Sequence, residues 1–262
     1  MELKTVLTIG GSDSSGGAGI QGDIKTLLAN DVYAMSVLTT LTAQNTTGFR
    51  SYMDVTADFL ANQIDMVFED IPPVAVKIGT IPTVDLILTV AERLTTYGAK
   101  NIVADPVTVA NDGTKLIEAD AVALYAEKIF PLSTLVTLGK KELTIFSGDA
   151  VDSRQAVSDA AKKIAEKYSC AVLAKGGGDD TDASEFLING QDARWFRGKK
   201  VETKNTHGAG TALSSAIAAN LAKGLNLIQS IDEAKKYLTG ALSSGLTLGK
   251  GVGPIDHGWK LR

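Results

Sequence analysis

The sequence predicts an α/β fold in which helices cover both faces of a mainly parallel sheet. Over the first two thirds of the chain, short apolar runs alternate with longer amphipathic runs. Such alternation is typical of right-handed βαβ units. Several short runs, such as Val74-Ala75-Val76, are apolar at consecutive positions, which suits strands that are buried on both faces. Further along, Asn189-Gly190 marks a hairpin, so we expect an antiparallel pair at one edge of the sheet.

The apolar runs give the strands and the amphipathic runs give the helices. The predicted parallel strands are Thr5–Ile9, Ser36–Leu41, Val74–Ile78, Asn101–Ala104, Thr134–Thr137 and Ala171–Ala174. The predicted helices between them are Ala18–Ala29, Ala57–Phe68, Thr83–Tyr97, Ala119–Ile129 and Arg154–Tyr168. The hairpin strands are Glu185–Ile188 and Ala193–Phe196, and two helices follow at Gly208–Lys223 and Leu227–Ser243. No linker-like stretch interrupts residues 1–262, so we expect one domain.

Composition limits the classes of function. The 262 residues include 26 Lys and Arg and 30 Asp and Glu, for a net charge of −4. This balance and the lack of a dense basic run argue against a nucleic-acid partner. The single cysteine, Cys170, excludes an intramolecular disulfide and suits a reducing compartment, and its apolar neighbours predict a buried strand residue. We see no signal peptide or membrane span and expect a cytoplasmic protein.

A glycine-rich segment, Gly10–Gly19, follows the first predicted strand and precedes the first helix. It holds five glycines within ten residues. Ligands of parallel α/β sheets bind outside the carboxyl ends of the strands, where glycines let the backbone approach a ligand closely. The segment matches neither a strict G-x-G-x-x-G pattern nor a P-loop. We interpret it as part of a binding site, and an ordinary strand-to-helix turn is the alternative.

A second glycine-containing turn, Asn205–Thr211, enters a helix through small residues. The N-terminus of a helix leaves backbone N–H groups free and carries a partial positive charge, so it binds phosphate well. We therefore predict a phosphate site here, with a capped helix start as the alternative. Within the turn, His207 is expected to cap or pack, with a contact to substrate or phosphate as the alternative, and His257 receives no role.

Two charged residues stand at the ends of predicted buried strands. Asp105 begins Asp105-Pro106-Val107, and Lys175 begins the run that continues to Gly178. Strand ends of this kind face the ligand side of the sheet, so Asp105 is a candidate for holding Mg²⁺ and Lys175 for neutralising nucleotide phosphates. Glu142 is a further candidate for the water shell of the metal. Structural salt bridges, or for Glu142 a solvated helix start, are the alternatives.

Taken together, these motifs resemble hydroxymethylpyrimidine/phosphomethylpyrimidine kinase, a thiamine-pathway family with the ribokinase-like three-layer α/β fold. The motifs run in the same order from Leu7 to His257. They are Gly10–Gly19, Ala43-Gln44-Asn45, Lys77-Ile78-Gly79, Asp105-Pro106-Val107, Lys175-Gly176-Gly177, Asn205-Thr206-His207-Gly208 and the closing Gly249–Pro254. The resemblance implies phosphorylation of 4-amino-5-hydroxymethyl-2-methylpyrimidine and of its monophosphate, with ATP and Mg²⁺, by an enzyme that is often a homodimer.

The resemblance also implies roles for individual residues. Gln44 would hydrogen-bond the pyrimidine, since an amide offers both a donor and an acceptor. Asp23 would lie near the hydroxymethyl group. The remaining substrate-pocket residues would be Gly11, Ala18, Thr80 and Val107. The nucleotide would contact Lys175, Gly176, Asp105 and Thr206, and the transferred phosphoryl group would contact Gly208, Ala209, Gly210 and Thr211. Asp105 and Glu142 would hold the metal, directly or through water.

Several positions depart from the family pattern. Thr211 stands where the family has a cysteine taken as the catalytic base, and a hydroxyl is a much weaker base than a thiol. Loss of a general base costs about 10²–10⁴ in rate. Gly139 replaces an asparagine of the family motif Thr-Pro-Asn-x-x-Glu, Thr80 and Thr108 replace methionines, and Gly178 replaces a histidine. These changes indicate a redirected or weakened paralogue or an engineered variant.

Two alternatives to a slow pyrimidine kinase stay open. A pyridoxal kinase, or a kinase of another heteroaromatic alcohol, would suit a pocket made more polar by Thr80 and Thr108. Pyridoxal kinases share the glycine-rich loops but usually lack Ala-Gln-Asn, so Gln44 favours the pyrimidine. The other alternative is a protein that binds the pyrimidine and no longer turns it over.

Overall fold

The computed structural model describes residues 3–110, 113–176, 183–198 and 200–262, whose strands form one mixed sheet. The strands are β1 Thr5–Gly11, β2 Tyr33–Asn45, β3 Gly48–Asp54, β4 Ala75–Ile78, β5 Ile102–Ala104, β6 Leu135–Leu138, β7 Val172–Ala174, β8 Glu185–Asn189 and β9 Asp192–Phe196. Their order across the sheet is β3-β2-β1-β4-β5-β6-β7-β8-β9. The pairs from β2 to β7 are parallel, and β3, β8 and β9 pair antiparallel.

Helices cover both faces of this sheet, as predicted. They are α1 Gly19–Ala29, α2 Ala57–Asp70, α3 Val84–Thr96, α4 Ala119–Ile129, α5 Lys140–Ser147, α6 Arg154–Tyr168, α7 Ala209–Ala222 and α8 Leu227–Ser243. Helices α2 to α6 pack on one face, where Leu7 and Ile9 of β1 point, and α1, α7 and α8 pack on the other, where Val6 points. Period-2 alternation within each strand thus supplies two separate apolar cores.

The sheet differs from the prediction in having antiparallel pairs at both edges. The predicted hairpin is β8–β9, but a second one joins β2 to β3. Strand β2 continues past the predicted end at Leu41 to Asn45, and β3 was not predicted at all. Residues of β3 are exposed or half-exposed on both faces, so the strand carries no apolar alternation that a sequence pattern would reveal.

Helix α5 was not among the predicted helices, although a helix start was the alternative given for Glu142, which lies in its first turn. Its eight residues begin with Lys-Lys-Glu, and only Leu143, Phe146 and Ser147 of the helix are buried. Its apolar face is therefore too short to show a helical period in the sequence. The prediction for Cys170 is right about burial, which raises the pKa of its thiol to about 12. The residue lies two positions before β7, however, and not within the strand.

Helix α7 lies between the sheet and its neighbours α1 and α8. Every residue from Thr211 to Ala222 is buried. Such a helix needs small side chains on all sides, because the sheet and two helices approach it closely. Its composition of Ala, Ser and Gly follows from this position, as does the lack of an amphipathic pattern. None of the described helices is both long and apolar enough to cross a membrane.

A polar cluster is buried between the sheet and α7. Lys77 of β4 extends its Nζ to 3.0 Å from Asp23 Oδ2 of α1, and both side chains are almost fully buried. The same carboxylate accepts hydrogen bonds from Thr8 Oγ1 at 2.5 Å and from Ser215 Oγ of α7 at 2.6 Å. The charge of Asp23 is therefore compensated by one cation and two hydroxyls, and it ties together β1, β4, α1 and α7.

We expect Asp23→Ala to lower the free energy of unfolding by about 3–5 kcal/mol, because the Lys77 ammonium would stay buried without its partner. Urea unfolding at pH 7 measures the change. The matched control is Asp149→Ala, which breaks the exposed Lys163–Asp149 pair and should cost less than about 1 kcal/mol. Equal effects of the two substitutions would contradict the structural role of Asp23.

Candidate active site

A cleft of about 550 Å³ opens at the carboxyl ends of the parallel strands. It lies beside β1 and β4, where the strand order reverses, which is the place where open α/β sheets bind ligands. Its volume suits a small-molecule site. The cleft brings together the predicted residues Gly11, Ala18, Asp23, Gln44, Thr80, Asp105, Val107, Glu142, Lys175, Thr206, Gly208, Ala209, Gly210 and Thr211. Gly176 follows Lys175 with φ +80° and is not among the lining residues.

The glycine-rich segment after β1 is organised by the buried carboxylate of Asp13. Its Oδ1 accepts from the N–H of Ser15 at 2.8 Å and from the hydroxyl of the same residue at 2.7 Å. Its Oδ2 accepts from the N–H groups of Gly17 at 3.1 Å and Ala18 at 2.8 Å. Nε2 of His207 lies 2.7 Å from the same oxygen. One carboxylate thus holds both glycine-containing turns in a single arrangement.

The pKa of Asp13 reflects these contacts. Burial alone would raise it, but the hydrogen bonds from His207, Ser15 and Ala18 together outweigh burial and lower the pKa to about 2. The carboxylate is therefore ionised at every physiological pH. Sequence reasoning did not single out Asp13. The available signal was that it is the one carboxylate within the glycine-rich segment.

His257, which had no predicted role, also holds this segment in place. Burial lowers the pKa of His257, so the imidazole is neutral at pH 7. Its Nε2 lies 2.8 Å from the carbonyl oxygen of Gly17, which only accepts hydrogen bonds. Nε2 therefore carries the proton, and Nδ1 accepts from the hydroxyl of Thr26 at 3.0 Å. The chain around His257 is fixed in turn by the bridge between Pro254 and His207.

The turn Asn205–Thr211, for which we predicted a phosphate site, leads into helix α7, so the predicted helix start is confirmed. Gly208 is its N-cap, with φ +87°, and a Cβ there would overlap the carbonyl oxygen of Gly17. The position therefore requires glycine both for its backbone angle and for its space. The N–H of Ala209 donates to the Thr206 carbonyl at 3.1 Å. The N–H groups of Gly210 and Thr211, in the first turn of the helix, have no intrahelical acceptor and are suited to an anion.

Lys175 adds positive charge to the same turn. A Cβ placed on Gly210 would lie 3.2 Å from Lys175 Nζ, so the ammonium group sits directly against the turn. Nζ is also 2.5 Å from Oδ1 of Asp105. The predicted motif continues through Gly177 and Gly178, which lie outside the described residues.

Both carboxylate oxygens of Asp105 accept hydrogen bonds. Besides Lys175, Thr137 donates to Oδ1 at 3.0 Å and Ser214 of α7 donates to Oδ2 at 3.0 Å. Burial would raise the pKa of Asp105, but the charges of Lys175 and Lys77 outweigh it and hold the pKa below its usual value. The predicted role of Asp105 toward a metal stays a prediction, because its carboxylate serves three protein donors in this structure.

The donor set around Glu142 fits a magnesium–nucleotide complex better than a protein-bound ion. The described residues contain no group of three or more Asp, Glu, His or Cys side chains placed to hold a metal. Glu142 accepts a hydrogen bond from Thr108 Oγ1 to Oε1 at 3.0 Å. Magnesium commonly keeps several waters and is held by one or two carboxylates together with substrate phosphates. This arrangement therefore suits Mg²⁺ that arrives with a nucleotide.

Gln44 lies on β2 and also lines the cleft. Alternate residues Thr40, Thr42 and Gln44 line the cleft, as strand geometry requires. The main chain of Gln44 is held by the hydroxyl of Ser14, which accepts from its N–H at 2.9 Å and donates to its carbonyl at 2.7 Å. The glycine-rich segment thus also sets the position of Gln44. Nearby, Thr80 donates to the carbonyl of Val107 at 3.3 Å.

We expect Asp13→Asn to lower the free energy of unfolding by about 1–2 kcal/mol at pH 7. The folded pKa of Asp13 is depressed, so its stabilisation is present above the unfolded value near 4 and is lost as the pH falls through about 2. The difference between the two proteins should stay constant from pH 7 to 5 and then shrink. Urea unfolding over this range measures it, with the exposed Asp152→Asn as control. A difference that grows toward acid would contradict the assignment.

Comparison with known proteins finds a family model and relatives whose names agree with one another. The family model of phosphomethylpyrimidine kinase matches residues 13–256. The chain is 42% identical over 255 residues to the hydroxymethylpyrimidine/phosphomethylpyrimidine kinase of Rhizobium meliloti, and the match covers 96% of each protein. It is 41% identical over 257 residues to the thiamine biosynthesis bifunctional protein ThiED of Geobacter sulfurreducens. That match covers 97% of this chain and 52% of the bifunctional protein, so the chain spans about half of its length.

Among solved structures, the ADP complex of Bacillus subtilis pyridoxal kinase has a TM-score of 0.89 to this chain. The two are 31% identical, and the match covers 98% of each. This likeness confirms the predicted ribokinase-like fold. Since the family model spans nearly the whole chain and the relatives agree with it, the chain belongs to the phosphomethylpyrimidine kinase family.

Proposed function

We propose that this protein transfers a phosphoryl group from ATP to the hydroxymethyl group of 4-amino-5-hydroxymethyl-2-methylpyrimidine, and then to the resulting monophosphate, in thiamine biosynthesis. The observation that carries the proposal is that one cleft is lined both by Gln44 and by residues of the turn Asn205–Thr211 (the anion turn) at the start of α7. The family and the name of the Rhizobium meliloti relative support it. Gln44 would hydrogen-bond the pyrimidine, and the turn would hold the phosphates.

The mechanism follows from the charges of the cleft. Phosphoryl transfer spreads negative charge over the equatorial oxygens of the moving group, so preorganised donors stabilise it. In this cleft, the donors would be the N–H groups of Gly210 and Thr211 and the ammonium group of Lys175. Glu142, with Asp105 acting through water, would hold Mg²⁺ against the nucleotide phosphates, where the ion would neutralise charge.

Removal of the proton from the substrate hydroxyl is the step for which the described part of the cleft has no good base. The carboxylates of Asp23 and Asp105 line the cleft, but each already accepts from three protein donors. We propose that both act as supports for the site and not as bases. The hydroxyl of Thr211 stays protonated at neutral pH, so it is a poor general base. Catalysis therefore depends on positioning and on charge, and we expect slow turnover.

A coupled kinase assay on the hydroxymethylpyrimidine, with excess Mg²⁺, tests both the activity and this explanation. We expect measurable turnover by the chain as it stands and an increase in kcat of about 10²-fold for Thr211→Cys, because a thiol at a helix N-terminus ionises near neutral pH. Thr211→Ser, which keeps a hydroxyl, should show no such gain. Absence of phosphorylation of either pyrimidine at high enzyme concentration would refute the proposed function.

The second candidate function is pyridoxal phosphorylation, which the close likeness to the Bacillus subtilis pyridoxal kinase structure favours. A substitution of Gln44 distinguishes the two candidate functions. We expect Gln44→Ala to raise KM for the pyrimidine about tenfold while KM for ATP stays constant, because the hydrogen bonds to the ring are lost.

A substrate panel with the pyrimidine and pyridoxal provides the measurement for Gln44. Gln155→Ala on the exposed part of α6 is the matched control and should change neither KM. Higher kcat/KM with pyridoxal, or a KM for the pyrimidine that does not respond to Gln44→Ala, would favour the second function. Pyrimidine binding by calorimetry without any turnover would instead indicate a binding protein.

Three further expectations accompany this proposal. The protein would act as a single domain over residues 1–262, as a homodimer, and in the cytoplasm. The reducing cytoplasm suits a chain with one cysteine, which is buried.

A further inference from the structure

The segment that follows β5 forms one wall of the cleft. Val109 and Lys115 pair in an isolated antiparallel bridge, and the N–H of Leu116 donates to the carbonyl of Thr108 at 2.9 Å. Val107, Val109 and Leu116 line the cleft. The backbone at Thr108 is thus held by pairing with the returning part of its own segment.

Thr108 itself is buried, with 3% of its surface exposed. Its side chain reaches across to α5, where Oγ1 donates to Glu142 Oε1 at 3.0 Å. Glu142 lies in the first turn of α5 and also lines the cleft. The hydrogen bond therefore joins the wall after β5 to the carboxylate expected to meet the nucleotide.

The other carboxylate oxygen of Glu142 lies over the N-cap of α5. That residue is Gly139, and a Cβ placed on it would stand 2.9 Å from Glu142 Oε2, which is closer than a normal contact between carbon and oxygen. The backbone of Gly139 is fixed, because its carbonyl accepts from the N–H of Leu143 at 2.9 Å. A side chain at position 139 would therefore push the carboxylate away from its present place.

We propose that Thr108 is a positioning residue, which fixes the Glu142 carboxylate for the magnesium–nucleotide complex in the space that Gly139 leaves open. This inference rests on the proposed function. A free glutamate side chain samples several rotamers and loses that freedom when it binds. A carboxylate that is already oriented by a donor on one oxygen loses less, so it binds with higher affinity.

The test is the affinity for ADP, measured by calorimetry with and without Mg²⁺. We expect Thr108→Val, which keeps the shape and removes the hydroxyl, to weaken ADP binding in the presence of Mg²⁺ about threefold to tenfold. Without Mg²⁺ the two proteins should agree within about twofold, because Glu142 then has no cation to meet. Thr108→Ser retains the donor and should bind like the unaltered protein.

Two further variants separate positioning from a general effect on folding. Gly139→Ala should reproduce the loss seen with Thr108→Val, because its methyl group displaces the same carboxylate. In a Glu142→Gln background, Thr108→Val should add no further loss, since the oriented charge is already gone. Thermal unfolding of each variant checks that the fold is kept.

The outcomes distinguish this inference from the function on which it rests. If the unaltered protein fails to bind ADP with Mg²⁺, the proposed function is wrong. If it binds and Thr108→Val binds equally well, the inference is overturned and the function stands. A loss that is the same with and without Mg²⁺, or that adds in full to the effect of Glu142→Gln, would also overturn it.

Discussion

The active site depends on three buried carboxylates that hold the start of helix α7. Asp13 fixes the turn before the helix through His207, Asp105 accepts from Ser214, and Asp23 accepts from Ser215. Because the two serines are adjacent in the helix, their side chains point in different directions. Their hydrogen bonds therefore fix both the position and the rotation of the helix. Each carboxylate has several donors, so its burial is compensated. The anion turn is therefore held in place by the protein itself, which is the condition for the electrostatic catalysis that we propose for this turn.

This support lies close to the main chain of Thr211, because Ser214 Oγ, which donates to Asp105, is also 3.0 Å from the Thr211 carbonyl oxygen. The frame of the proposed anion site thus does not require a particular side chain at position 211. Binding and proton transfer are separable in such a site, since the first depends on the backbone and the second on one side chain. On the proposed function, a substitution at position 211 would change the catalytic rate and leave the geometry of the anion turn intact.

Much of this was predictable from the sequence, for physical reasons. Buried parallel strands are apolar along their length, and the charged residues Asp105 and Lys175 stand out where those strands end. The exposed strand β3 and the short helix α5 bury too few residues to leave a pattern. Asp13 and His257 were missed for another reason: their partners His207 and Gly17 are 194 and 240 residues away in the chain. Only the folded topology brings such pairs together.

The hydrogen bond from His257 to Gly17 has a consequence for how the protein is made. During synthesis, Gly17 leaves the ribosome 240 residues before His257. The strands and helices between them have time to form local contacts, whereas this bond closes across nearly the whole sequence. The glycine-rich segment therefore reaches its final arrangement only after the strands and helices between Gly17 and His257 have been synthesised.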